Sequence, residues 1–110
     1  MTEREKKFLS DICNSIRLIK EFTNELTSFE EYSNDVKTKS AVERHLSIIG
    51  EAVNKYLKES PENDLKKASQ IISLRNRLVH SYDSVDDSII WVIVTRYLHP
   101  LNEEIKLIMG

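Results

Sequence analysis

The stretch Leu65-Lys66-Lys67-Ala68-Ser69-Gln70-Ile71-Ile72-Ser73-Leu74-Arg75-Asn76-Arg77-Leu78-Val79-His80 decides how the whole chain is read. At about 100° per residue, Ala68, Ile71, Ile72, Leu74, Leu78 and Val79 spread over an arc of roughly 160°, with Leu65 preceding them, so the spacing predicts an amphipathic helix. Asn63 or Asp64 is the expected cap at its start, and the helix should end near His80. Arg77 projects to the polar side, where solvation accounts for it. Arg75 falls inside the apolar arc. A guanidinium there cannot shed its proton, so it must snorkel, pair with an acid or meet an anion. Geometry alone leaves two readings open: a structural ion pair with Glu51 or Glu43, or a functional cation.

Working outward, Val42, Leu46, Ile49, Val53, Tyr56 and Leu57 form the stripe of a preceding helix that must stop before Ser60-Pro61. Gly50 lies in its middle, where close helix approach or a partner backbone would account for it. Phe8, Ile12, Ile16, Ile19, Phe22 and Leu26 mark a first helix, and Thr27 to Asn34 a turn with a short helical piece. Beyond His80, Ser84 to Asp87 forms a capping box, with Asp86 a second cap candidate. The run Ile89 to Thr95 favours strand locally. It nevertheless joins a helical stripe, Ile90, Val94, Tyr97, Leu101, Ile105 and Ile108, expected to kink or break at His99-Pro100. The expected fold is all-α: an antiparallel four-helix bundle in one domain spanning 1–110, with an extra helical piece between helices one and two.

Composition agrees with this reading. Only two Gly and two Pro interrupt 110 residues that are 40% hydrophobic and 31% charged. The single cysteine, Cys13, excludes an intrachain disulfide and reads as a small buried hydrophobe. The charged N-terminus leads into no long apolar run, and the uncharged apolar stretch Ile89 to Val94 is far short of a membrane span of about 20 residues; a soluble cytoplasmic protein is expected. A net charge of −2 counts against nonspecific polyanion binding. The distribution softens that objection: no Asp or Glu occurs from Leu65 through Tyr82, while Lys66, Lys67, Arg75 and Arg77 do, so one basic patch is expected on an acidic body.

His80 stands at the expected helix end; an unperturbed imidazole has a pKa of about 6.5 and can move protons, although a helix-end histidine commonly just caps carbonyls. Its company raises its standing: Arg75, Asn76, His80 and Tyr82 can converge on one polar pocket. His45, in a charged stretch, is expected to be solvated, and His99 to mark the helix break. The scattered His and Cys show no zinc spacing. Capping explains Asp83, Asp86 and Asp87 more simply than magnesium binding. Trp91 is expected in the core or an interface, and no Gly-rich phosphate loop or nucleophile elbow occurs.

The segment Arg75-Asn76-Arg77-Leu78-Val79-His80-Ser81-Tyr82 resembles the Arg-x4-His-x-Tyr motif of HepT-like proteins in the HEPN superfamily. Asn76 matches the polar residue that often follows that arginine. Ala41 to Ala52, with its Ile49-Gly50-Glu51-Ala52 piece, resembles the family's second helix, and Val85-Asp86 with Trp91 its return into the last helix. The resemblance implies a helical-bundle toxin that cuts RNA without metal or cofactor, with Arg75 and His80 catalytic. It also implies a homodimer whose two motifs share a cleft, and a cognate nucleotidyltransferase antitoxin that adenylylates Tyr82 with ATP. Asn76 would orient substrate or His80. A competing reading is a non-catalytic helical module that partners such a nucleotidyltransferase. A third is a structural bundle in which Arg75 pairs with Glu51.

Overall fold

The computed structural model describes residues 1–80 and 86–110, apart from the side chains of Arg75, Leu78, Val79 and His80. Among the described residues six α-helices follow one another: α1 (Glu3–Thr23), α2 (Phe29–Ser33), α3 (Val36–Glu59), α4 (Ser69–His80), α5 (Asp87–Val92) and α6 (Leu98–Met109). A π-helical segment, Ile93–Tyr97, joins the last two. No strand occurs among the described residues.

Each early helix begins where a short polar side chain satisfies an amide that the helix cannot. Thr2 accepts from the Glu5 amide, Ser28 from Glu31 and Asp35 from Thr38. The apolar stripes then fix the packing. Ile12, Ile16 and Ile19 of α1 meet Val42, Leu46, Ile49 and Val53 of α3, all of them essentially inaccessible to water. Burial of each such side chain contributes about 1.5–3 kcal/mol. Arg4 bonds Glu59, and Ser15 bonds His45. Those pairings run in opposite directions along the two helices, so α1 and α3 are antiparallel.

Two boundary expectations shift. Phe22 is 39% exposed at the end of α1 rather than in the core, and Leu26 lies past the helix end, half-buried against the core. The helix expected from Asn63 or Asp64 begins only at Ser69. Over the intervening residues the carboxylate of Glu104 in α6 accepts from the amides of Lys66 at 2.8 Å and Lys67 at 3.0 Å. Leu65 to Ala68 makes a turn, closed by the Ala68 amide donating to the Leu65 carbonyl. Leu65 and Ala68 stay buried all the same.

The last helical run is irregular, but not where proline suggested. His99 and Pro100 lie inside α6, in its first turn. The wide turn comes just before them, with the Leu98 amide donating to the Ile93 carbonyl five residues back. Pro100 has no amide to offer the preceding turn, and Thr95 Oγ1 bonds the Trp91 carbonyl at 2.8 Å, so the ladder loosens over this stretch. The buried set becomes Ile90, Ile93, Leu98, Leu101 and Ile105, while Val94 and Tyr97, expected on the stripe, are only half-buried.

Candidate active site on the fourth helix

The backbone of α4 carries both residues singled out for chemistry. Arg75 and His80 are five residues apart, about 7.5 Å along the axis, and His80 is the last helical residue. Buried Ile71 and Leu74 hold the helix against α3. Asn76 and Arg77 are exposed. The side chains of Arg75 and His80, and all of Tyr82, lie outside the described residues, as does the Ser84 half of the expected capping box.

Asp86 is firmly anchored at the start of the next helix. Asp86 accepts from the Ser88 amide and hydroxyl, both at 2.8 Å, and these two bonds hold its carboxyl below the usual range. It is the expected cap of α5. Asp87 pairs with Lys39 of α3 at 3.0 Å, the two side chains being only 27% and 24% exposed, and Lys39 also donates to the Ser33 carbonyl. The start of α5 is thereby pinned to α2 and α3.

Around that pair lies a polar cluster that the sequence did not announce. Glu43 is half-buried there; burial and the Asp87 charge raise its pKa, against a smaller lowering by Lys39. Tyr32 is fully buried and its hydroxyl finds no partner among the described residues. Burial first, then Glu43 and Asp87, push that phenol well above its ordinary pKa. The Tyr32 ring stacks on Trp91 at 5.3 Å, in keeping with the packing role expected for the tryptophan. This Tyr32–Trp91 contact ties α2 to α5.

His45 corrects its expectation. It is half-buried, bonded to Ser15 Oγ at 3.1 Å, with the Phe22 ring 5.7 Å away. Burial, then the Arg44 charge, lowers its pKa, so the ring is a neutral packing element. The signal was present: His45 lies three residues after Val42, at the edge of the apolar stripe, and Ser15 sits between Ile12 and Ile19. His99 is exposed. Cys13 is half-buried beside Lys106, with its thiol pKa raised by burial against a smaller lowering by Lys106. Among the described residues no cluster of His, Cys, Asp or Glu is arranged to hold a metal ion, and no helix is long and apolar enough to cross a membrane.

Part of the expected basic patch is visible. Lys66, Lys67 and Arg77 are exposed on one side of the molecule, and Arg96 of the π segment, which the sequence did not single out, joins them.

Comparison with known proteins bears on the same helix. The model of a family described as "Ribonuclease HepT-like" matches residues 12–108. A candidate RNase of Methanocaldococcus jannaschii is 40% identical over 94 residues, covering 81% of this chain and 74% of its own. A protein of Thermococcus cleftensis named "Probable ribonuclease HepT" is 38% identical over 100 residues, 86% of each chain. A second candidate RNase of Methanocaldococcus jannaschii is 33% identical over 112 residues, covering 98% of this chain and all of its own. No solved structure matches.

Proposed function

Because the chain belongs to the HepT-like ribonuclease family, we propose that it is a metal-independent endoribonuclease, the toxin of a type II toxin-antitoxin pair, with Arg75 and His80 as its catalytic residues. The observation that carries this reading is the position of the Arg75-x4-His80-x-Tyr82 motif: it falls within the matched span, and Arg75 and His80 ride one helix backed by the core.

Metal-free cleavage of RNA requires three things. The 2′-hydroxyl must lose its proton, the phosphorane charge must be stabilised, and the departing 5′-oxygen must gain a proton. One imidazole cannot be base and acid at the same moment. A two-fold dimer that brings two copies of the motif together supplies both, with two guanidiniums for the phosphate. One His80 takes the 2′-proton as that oxygen attacks phosphorus. The P–O5′ bond breaks, and the second His80 protonates the leaving oxygen. The products are a 2′,3′-cyclic phosphate and a 5′-hydroxyl, and Asn76 orients substrate or His80.

Tyr82, two residues past His80, is the proposed site of adenylylation by a partner nucleotidyltransferase using ATP. AMP there adds bulk and negative charge where RNA phosphate must sit.

The test is RNA cleavage in excess chelator. Activity should persist there and vanish in Arg75→Ala and in His80→Ala. Activity that requires a metal, or that survives both substitutions, refutes the assignment. Growth arrest without the partner that is unaffected by His80→Ala points instead to the non-catalytic module. Mass spectrometry after incubation with the partner and ATP should place AMP on Tyr82; AMP mapped elsewhere removes that part.

A further inference from the structure

We infer that the groove between α4 and the α5–π segment is a track for single-stranded RNA, running along the polar side of α4 toward the helix end that carries His80; the inference rests on the ribonuclease reading and gives its substrate a path. Two cavities adjoin there. One, of about 390 Å³, lies between Ser73 and Arg77 of α4 and Ile89 and Val92 across from them. The other, of about 280 Å³, continues past Lys66, Lys67 and Arg96. Gln70 and Tyr97 line both, so the two form one continuous channel.

Its walls follow from helical spacing. Gln70, Ser73 and Arg77 recur at steps of three and four, one stripe of α4. Ile89, Val92 and Arg96 make the facing stripe. From Gln70 to Arg77 the groove runs about 10 Å, room for about three stacked nucleotides at about 3.4 Å each.

Charge selects the occupant. Among the described residues four cations border the channel and no Asp or Glu lines either cavity, on a chain whose net charge is −2. Among the described residues, no carboxylate forms a salt bridge with Lys66, Lys67, Arg77 or Arg96. Glu104 is turned onto the lysines' backbone amides, and Asp86 onto Ser88. Such a local reversal of sign suits a polyanion. The half-buried Tyr97 ring and the apolar edges of Ile89 and Val92, each 37% exposed, favour unpaired bases over the closed face of a duplex.

The experiment compares two triple variants of the full chain. Lys66→Gln/Lys67→Gln/Arg96→Gln removes groove cations while keeping the amides that Glu104 caps. Lys20→Gln/Lys37→Gln/Lys58→Gln removes three exposed lysines elsewhere. Both take the formal charge from −2 to −5, so long-range electrostatics are matched. The probe is a fluorescein-labelled single-stranded 2′-O-methyl oligoribonucleotide, whose blocked 2′-oxygen prevents cleavage, followed by anisotropy across a salt series.

The groove variant should bind about tenfold or more weakly, and its log–log salt slope should fall by about 2, at about 0.7 per lost phosphate contact. The control should keep the parental slope, and a duplex of the same sequence should bind less well. Equal losses in the two variants, no loss in the groove variant, or equal affinity for duplex overturns the inference. Retained RNA binding with lost binding of a protein partner does so too. Cleavage of unmodified RNA is scored separately: absent cleavage with the predicted binding pattern sinks the ribonuclease reading alone, and normal cleavage and binding by the groove variant sinks the groove alone.

Discussion

Replacing Glu104 by alanine should expose what holds the approach to α4 in place. Its carboxylate takes two backbone amides, at 2.8 and 3.0 Å, from a turn that would otherwise leave both without a protein partner. A hydrogen bond to a charged group is worth about 1.5–3 kcal/mol when sheltered. Lys66 and Lys67 are exposed, so water replaces much of what is lost, and the expected cost for the pair is about 1–2 kcal/mol. In a domain of this size that lowers Tm by about 4–8 °C. Glu104→Gln keeps one good acceptor and should lose about half as much. Thermal unfolding gives the magnitude; amide hydrogen exchange gives the location, with Lys66 and Lys67 accelerated well before the α3 core. If Glu104→Ala melts within a degree of the parent, or if exchange at those two amides is unchanged, the capping account of this turn is wrong.

Three further outcomes are expected. In chelator, His80→Ala and Arg75→Ala should each lower single-turnover RNA cleavage by at least about 100-fold without changing the far-UV circular dichroism spectrum. His45 has a folded pKa below its unfolded value of about 6.5, so the unfolded chain binds more protons as pH falls; stability should decline below about pH 6.5, and His45→Gln should flatten the Tm profile between pH 7.5 and 5.5. Trp91→Leu should cost about 1–2 kcal/mol in denaturant unfolding through loss of the Tyr32 stack and its buried area, with Tyr32→Leu adding less in the double variant than alone.

Much of this fold was legible because long helices advertise themselves by period. The stripes of α1 and α3, the short α2, the stop before Pro61 and the Asp86 cap are all local consequences of local sequence. What escaped the sequence depended on distant residues. Glu104 lies nearly forty positions from the amides it caps, and no helical periodicity could have shown that contact. His45 read as solvated because Glu43 and Arg44 flank it, whereas Ser15 across the α1–α3 contact gives the ring a partner. The Lys39–Asp87 pair, and Glu43 beside it, bring together α3 and the entry to α5, elements joined only through the tertiary fold. Of the candidate site, the motif on α4 was visible as a cation out of pattern followed by a helix-end imidazole. Arg96 was missed because its position relative to α4 depends on the geometry of the wide turn.

That turn has a consequence for how the chain tolerates change. On an ordinary helix, Ile93 and Leu98 would point about 140° apart, at opposite edges of a buried face. With one surplus residue absorbed, five positions do the angular work of about four, and both side chains reach the interior. The segment thus acts as a phase correction between two stretches of apolar pattern that are out of step. Dropping one residue here would restore a regular helix with its greasy edge still aligned, whereas the same deletion in α3 would rotate everything beyond it by about 100°.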